Sequence, residues 1–288
     1  MYKQKLSLSL NGDFGISFEE QVRLFKRTGF EAFTGHWRYG EDESIISCAK
    51  VGKEEGMEFN ALHAPFGCTA DMWDEAEKEG AEQGVKELSH FVELCNTLEI
   101  PMMVSHVYVG FDKQCEPTQF GIENYGRVIE YAERLGVKIA FENTEGENGL
   151  DAILTEFKDK KHVGYCWDSG HEMCYNDSKD LLALYGDRLF ITHINDNLGV
   201  KSFEGVNFWH DDLHLLPFDG IADWDYNAKR LAKTGFDGIL TFELNNKSKP
   251  NRHENDKYFK VPIEEYVAEC YARACRFAVM VKKVASCK

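Results

Sequence analysis

Carboxylates and imidazoles recur near the ends of short apolar runs in this sequence. Glu142 lies in VKIAFEN, Asp168 ends HVGYCWD, His193 lies in RLFITHIND and Glu243 lies in GILTFEL. A carboxylate at the end of an apolar segment costs free energy unless a partner compensates its charge. A divalent cation would offset the repulsion among three such carboxylates and would also use an imidazole nitrogen. Two glutamates, one aspartate and one histidine suit Mn²⁺, Mg²⁺, Co²⁺ or Zn²⁺, so these four residues are our candidate metal ligands.

Further polar residues occupy similar positions along the chain. They are His63 in HAPF, His106 in SH, His171 in WDSGH, and Asp212 and His214 in DLH. For any one of these histidines, a hydrogen-bonded structural role is as good an explanation as a functional one. His36, in HWRYG, is open to the same two interpretations. The whole set is harder to explain without a shared site.

Eight apolar runs have the length and the flanking residues of β-strands. They occupy 5–10, 31–37, 57–65, 102–108, 137–143, 162–168, 188–196 and 238–244. Between them lie stretches with apolar residues at helical spacing, and Ser17 with Glu20 fits a helix capping box. The strand and helix units alternate along nearly the whole chain.

Four strands follow a phrase in which glycine would end a helix: RTGF, EEGM, RLGV and KTGF. Eight such βα units in a chain of 288 residues predict an α/β fold, a single (β/α)8 TIM barrel spanning 1–288. An open doubly wound sheet would alternate in the same way, but no G-x-G-x-x-G follows the first strand. In a barrel, the carboxyl ends of the strands converge on one mouth, so the candidate ligands would meet there.

Composition narrows the classes of partner. The formal net charge is −16, which disfavours nucleic acid and anionic membrane surfaces as partners. No apolar run approaches a membrane span, and the first residues do not read as a signal peptide. Nine cysteines without a C-x-x-C pair are typical of reduced thiols that fill a core. We therefore expect a cytoplasmic protein that does not bind membranes.

The motifs HAPF, SH, FENT, WDSGH, HIND, DLH and FEL, in this order, resemble those of the xylose isomerase-like barrels. That family unites sugar isomerases and epimerases with endonuclease IV. The resemblance implies that Glu142, Asp168, His193 and Glu243 bind one divalent metal ion, and that both glutamates move protons. It also implies that His171 contacts a substrate oxygen near the metal.

The endonuclease branch resembles this chain as well, because its three zinc ions are held at positions that match nine residues of this sequence. These are His63, His106, Glu142, Asp168, His171, His193, Asp212, His214 and Glu243. Further Zn²⁺ therefore remains open. The phrase Pro217 to Trp224, PFDGIADW, resembles the sugar branch, although Phe218 stands where a glycine is common.

Our first hypothesis is a metal-dependent sugar isomerase or epimerase that works through an enediolate. Glu142 and Glu243 would transfer protons, while His63, His106, His171, Asp212, His214 and Trp37 would bind substrate. Other aromatic residues in the loops suit the apolar face of a sugar: Tyr39, Phe66, Trp73, Phe111 and Trp209. Lys247, Lys249 and Arg252, which follow the eighth strand, would read a phosphate group or form a solvated loop.

Two alternatives stay open. The first is a zinc phosphodiesterase acting on abasic DNA, which the nine residues favour and the acidic loops oppose. The second is a barrel that binds a sugar or metal without turnover. The sequence does not decide between isomerase and epimerase, the substrate sugar, the identity of the metal, or whether the protein forms a homodimer.

Overall fold

Eight parallel strands form the centre of the molecule. The computed structural model describes residues 4–110, 115–200, 210–250 and 252–286. The strands are β1 (Leu6–Ser9), β2 (Ala32–His36), β3 (Glu58–His63), β4 (Met102–His106), β5 (Lys138–Glu142), β6 (Val163–Asp168), β7 (Leu189–His193) and β8 (Leu240–Phe242). Each strand lies within one of the eight runs predicted from the sequence, so all eight strand predictions are confirmed.

The sheet follows the order of the chain and closes on itself. Its order is β7-β6-β5-β4-β3-β2-β1-β8, and every pairing is parallel. A parallel bridge between Ile194 and Phe242 joins its two edges just beyond β7, where Ile194 N donates to Thr241 O at 2.9 Å. The predicted (β/α)8 TIM barrel is therefore confirmed.

Helices follow every strand and cover the outside of the barrel. They are α1 (Phe18–Thr28), α2 (Asp42–Glu55), α3 (Lys78–Leu98), α4 (Gln119–Leu135), α5 (Glu147–Glu156), α6 (Ser169–Tyr175), α7 (Leu181–Tyr185), α8 (Trp224–Thr234), α9 (Asp256–Phe259) and α10 (Ile263–Ala285). None of the helices in the described part of the chain is both long and apolar enough to span a membrane.

The sequence signals for helix ends act as predicted. The Ser17 hydroxyl accepts a hydrogen bond from Glu20 N, and the Glu20 carboxylate accepts one from Ser17 N, which completes a capping box at α1. Gly56 and Gly136 end α2 and α4 with φ values of 64° and 72°, which residues with a Cβ rarely adopt. These short connections return the chain to the barrel for the next strand.

Side chains on the strands separate into two layers. Ala61, Val104, Ala140, Cys166 and Ile191 fill the barrel interior, and a much larger apolar cluster packs between the strands and the helices. Register places Glu142 beside Cys166 and Asp168 beside His193. The interior residues form a floor beneath the carboxyl ends of the strands, where the polar candidates lie.

Candidate metal centre and cavity

The four candidate metal ligands meet at the mouth of the barrel. Ligand atoms of Glu142, Asp168, His193 and Glu243 all lie within 4.8 Å of one another. His193 Nδ1 is 3.0 Å from Glu142 Oε1 and 3.0 Å from Glu243 Oε2. Residues separated by up to 101 positions in the sequence therefore form one group, because the ends of β5, β6, β7 and β8 converge.

Asp168 is held by the first turn of the helix that follows it. Its Oδ1 accepts hydrogen bonds from Gly170 N and His171 N, both at 2.7 Å, and so caps α6. Asn195 Nδ2 lies 2.9 Å from Oδ2 and 3.1 Å from Oδ1. These donors fix the carboxylate. Burial nevertheless raises the pKa of Asp168 to about 6, since no positive side chain fully compensates the desolvated charge.

Charge balance in this group depends on protons or on a cation. In the described part of the chain, the ion pairs of Glu142 and Glu243 are all with imidazoles, and none involves lysine or arginine. Burial opposes a charge on His193, but Cys166, Glu142 and Glu243 outweigh burial and raise the pKa of the ring well above its ordinary value. A divalent cation balances the charge of three carboxylates around one imidazole better than a single proton does, and these donors suit such a cation. The residues present therefore fit a divalent metal site.

Glu142 also faces two further imidazoles. Its Oε2 is 3.1 Å from His63 Nε2 and 3.4 Å from His106 Nε2. His63 Nδ1 is 2.8 Å from the carbonyl oxygen of Ala64, so Nδ1 donates to that carbonyl and Nε2 faces the carboxylate of Glu142. An imidazole nitrogen this close to a carboxylate oxygen shares either a proton or a cation with it.

His171, Asp212 and His214 form a third group of possible ligands. His171 Nε2 and His214 Nε2 are each 3.2 Å from Asp212 Oδ2. Their Nδ1 atoms face the carbonyl oxygens of Asn143 and Glu243, at 3.0 Å and 3.2 Å. Burial opposes protonation, yet the Asp212 carboxylate raises the pKa of His214 to about 9. A proton on each ring satisfies this arrangement, and so would a second cation.

A cavity of about 550 Å³ opens above these groups. The residues that line it include all five histidine and aspartate residues predicted to bind substrate: His63, His106, His171, Asp212 and His214. The other lining residues are His36, Phe66, Val109, Thr144, Glu145, Tyr175, Glu243 and Lys249. The Glu243 side chain is 28% exposed whereas that of Glu142 is 0% exposed, so of these two candidate ligands Glu243 is the one that reaches the cavity.

Trp37 does not reach this cavity, and the expectation that it binds substrate is corrected here. Its side chain is buried in the core, where Nε1 donates to Ser44 Oγ at 3.0 Å and the ring packs against Phe18 and Phe59. Since Trp37 follows the end of β2 by one residue, the alternation of the strand turns it outward. Its neighbour His36 lines the cavity instead and stacks on Phe66.

The other aromatic candidates have different places. Phe66 lines the cavity, whereas Trp73 is buried in the core and donates to Val107 O at 2.9 Å. Tyr39 lies in a separate surface groove beside His90. Phe111 and Trp209 lie outside the described residues. Among the aromatic candidates that the structure describes, Phe66 is the one that lines the cavity.

The three basic residues after β8 also occupy different environments. Lys247 pairs with Asp13 at 2.7 Å, and Arg252 pairs with Asp211. Lys249 lines the cavity and also an adjoining cleft of about 130 Å³. Two of the three residues therefore hold the loop in place, and Lys249 is the one that lines the cavity.

Asp196 is a residue whose role the sequence left unassigned. Its buried carboxylate accepts hydrogen bonds from the backbone nitrogens of Asn197, Phe218, Gly220 and Ala222 at 2.9–3.1 Å and from Trp224 Nε1 at 2.9 Å. A Cβ on Gly220 would lie 2.2 Å from Asp196 Oδ1, so this position requires glycine. The phrase PFDGIADW is therefore a loop wrapped around one carboxylate.

Phe218, which departs from the glycine common in this phrase, still adopts a left-handed backbone with φ 76°. The bond from its N–H to Asp196 and the Arg276 guanidinium, 3.8 Å above its ring, hold it there. Because Asp212 and His214 come shortly before this loop in the chain and line the cavity, Asp196 supports one wall of the cavity.

Replacing Asp196 with alanine is expected to lower the free energy of unfolding by about 3 kcal/mol or more, because it leaves several buried donors without an acceptor. Urea denaturation measures the change. Asp223→Ala is the matched control. Asp223 caps α8 through Tyr226 N, and losing a cap costs about 1 kcal/mol. Equal losses for the two variants would contradict the role given to Asp196.

Comparisons with known proteins agree with the barrel fold. A relative from Sinorhizobium fredii, the uncharacterized protein y4fM, is 32% identical over 209 residues, which cover 67% of this chain and 64% of that protein. The crystal structure of the IOLI protein with a bound zinc atom is 20% identical and superposes with a TM-score of 0.73, covering 96% of this chain and 98% of that chain. The structure of L-ribulose 3-epimerase is 16% identical with a TM-score of 0.71, covering 99% and 97%.

The family model described as xylose isomerase-like TIM barrel matches residues 22–262, which is most of the chain and includes every residue of the candidate site. Together with the eight parallel strands and the site at their carboxyl ends, this match identifies the chain as a member of the xylose isomerase-like TIM barrel family.

Proposed function

We propose that this protein is a divalent-metal-dependent sugar isomerase or epimerase. The observation that carries the proposal is the group formed by Glu142, Asp168, His193 and Glu243 beneath a cavity into which Glu243 opens. Support comes from similar folds among known proteins, which include an L-ribulose 3-epimerase and a D-psicose 3-epimerase with D-tagatose. The specific substrate and reaction are part of the proposal.

The four ligand residues would hold one cation through three carboxylates and one imidazole. When bound, the cation supplies Lewis-acid polarisation of a carbonyl oxygen and stabilises the negative charge that develops on it. Asn195 and the first turn of α6 keep Asp168 in one orientation for this purpose. Glu142, enclosed by His63, His106, His171 and His193, is similarly restrained.

Glu243 is the best-placed group to take a proton from the carbon next to a substrate carbonyl. Its carboxylate is close to His193 and reaches the cavity, and the ring of His193 holds the pKa of Glu243 below the usual range, so the carboxylate is ionised. Glu142 would return or receive the proton on the other side of the substrate. General acid–base catalysis of this kind contributes about 10²–10⁴-fold in rate.

The remaining cavity residues would orient the substrate. His63, His106, His171, Asp212 and His214 offer donors and acceptors for hydroxyl groups, and Phe66 offers an apolar wall to a sugar ring. Lys249 would contact a phosphate or carboxylate group if the substrate carries one. A neutral ketose and its phosphate ester compared in the same assay would reveal this preference.

The test is solvent proton exchange. The Mn²⁺-loaded protein is incubated in D₂O with a panel of ketoses, aldoses and their phosphates, and NMR follows deuterium entering the carbon next to the carbonyl. A substrate of this enzyme is expected to gain deuterium and to yield its epimer or isomer. Absence of exchange into every sugar that binds would contradict the proposal and favour a barrel that binds without turnover.

A second function is favoured by one specific observation. The groups His63–His106–Glu142 and His171–Asp212–His214 each bring three possible ligands within 4.8 Å, which is the arrangement expected of a zinc phosphodiesterase. The charge of −16 opposes binding to DNA. Nicking of an abasic duplex that is abolished by a chelator would favour this alternative.

A further inference from the structure

A cysteine lies beneath the candidate metal centre. Cys166 precedes Asp168 by two residues on β6, so the alternation of the strand turns both side chains into the barrel. It packs in the interior with Ala140 and Ile191, and register places it beside Glu142. Cys166 is therefore one layer deeper in the barrel than Asp168.

Its sulfur is close to two of the proposed metal ligands. The sulfur atom of Cys166 and ligand atoms of Glu142 and His193 all lie within 4.8 Å of one another, and all three residues are buried. His193 Nε2 is also buried and has no hydrogen-bond partner among the described residues. Cys166 is the one cysteine in the described part of the chain whose sulfur belongs to such a group.

We propose that Glu142, Cys166 and His193 form a second, deeper position for a thiophilic divalent cation such as Zn²⁺, Co²⁺ or Cd²⁺. The inference rests on the metal site of the proposed function, with which it shares Glu142 and His193. Thiolate sulfur favours these softer cations, whereas Mg²⁺ and Mn²⁺ prefer the carboxylate oxygens of the upper group. Binding at the deeper position replaces the thiol proton with a metal–sulfur bond, and the proton leaves to water.

Because the two positions share Glu142 and His193, we expect one cation to be bound at a time. A cation in the deeper position uses the carboxylate of Glu142 and the imidazole of His193. The upper group then has only Asp168 and Glu243 left as ligands. The choice of metal therefore decides which position is filled. Soft cations are held by Cys166, and hard cations are held by Asp168 and Glu243.

The test uses Co²⁺ alone as the probe, because a thiolate bound to Co²⁺ gives a charge-transfer absorption band in the near ultraviolet that oxygen and nitrogen ligands do not give. Spectra are recorded for the wild-type chain, for Cys166→Ala and for Cys48→Ala, a buried cysteine of α2 that serves as the matched control. Competition titrations then compare Zn²⁺ with Mn²⁺ on the same three proteins.

We expect the band in the wild-type protein and in Cys48→Ala and its loss in Cys166→Ala. We also expect Cys166→Ala to weaken Zn²⁺ binding by about 10–100-fold, with a much smaller change for Mn²⁺. If Cys166→Ala fails to fold, Cys166→Ser carries the same test, since a hydroxyl oxygen gives no such band.

Two outcomes would overturn the inference in different ways. Co²⁺ that binds with its visible spectrum but without the charge-transfer band would remove Cys166 from the site and leave the proposed metal centre intact. A band that persists in Cys166→Ala would assign the thiolate to another cysteine. Failure of the chain to bind Co²⁺, Zn²⁺ or Mn²⁺ at all would instead refute the proposed metal centre, and the deeper position with it.

Discussion

Replacing Glu243 with glutamine is expected to lower kcat for the substrate sugar by about 10²–10⁴-fold. Glutamine keeps the size of the side chain and its contact with the cavity but can no longer accept a proton. Glu243 is also the most exposed carboxylate of the group, so the change removes the base that substrate meets first. Steady-state kinetics and deuterium exchange on the Mn²⁺-loaded variant measure the effect.

Glu145→Gln is the matched control for this variant. Glu145 lines the same cavity but does not belong to the metal group, and its carboxylate accepts a hydrogen bond from Gly110 N. It should therefore affect KM more than kcat. Full activity of Glu243→Gln, measured with its metal content verified, would exclude Glu243 as the base.

Removal of the metal is expected to produce the second large effect, a loss of both activity and thermal stability. With free Mn²⁺ at about 100 times its Kd, binding stabilises the folded state by about 2.7 kcal/mol. For a chain of 288 residues, that corresponds to a rise in Tm of about 4–5 °C, which a chelator should reverse. Without the cation, three carboxylates share imidazole protons at a desolvated site, which explains why the site gains from metal binding.

His193→Ala separates specific binding from general effects of the metal. The imidazole contacts Glu142 and Glu243 at once, so its loss should abolish the Mn²⁺-dependent rise in Tm. Differential scanning fluorimetry with and without Mn²⁺ measures this on both proteins. An undiminished rise in the variant would mean that Mn²⁺ binds elsewhere.

The sequence predicted the barrel well because its local signals agree with the fold. Apolar runs bounded by glycine or polar residues mark the strands, and glycine at helix ends, such as Gly56 and Gly136, marks the return to the next strand. The parallel barrel then brings Glu142, Asp168, His193 and Glu243 together without any sequence proximity. The type of each residue and its position on a strand were enough to predict this group of four ligands.

Side-chain direction and packing were harder to predict. Trp37 stands next to a strand end, but the alternation of β2 sends it into the core while His36 faces the cavity. Nothing in the sequence distinguishes Lys249, which reaches the cavity, from Lys247, which pairs with Asp13. Such outcomes depend on tertiary partners that only the folded chain brings together.

The role of Asp196 was hidden for a related reason. Its position in HIND suggests a catalytic or metal-binding role. Its carboxylate instead accepts hydrogen bonds from the loop that follows, including those from Asn197 N and Trp224 Nε1. The signal that could have revealed it was the loop phrase itself, in which Gly220 leaves room for the carboxylate. A buried carboxylate surrounded by backbone N–H groups organises a loop and is not free to bind a metal.

The amount of metal bound per chain is a direct test of the proposed metal centre. Protein purified without chelator and dialysed against Mn²⁺ is analysed by elemental analysis, alongside His193→Ala. We expect about one divalent ion for each wild-type chain and essentially none for the variant. Two or three tightly held Zn²⁺ ions would show that His63, His106, Asp212 and His214 are ligands as well, and no bound metal in the wild-type chain would contradict the proposed centre altogether.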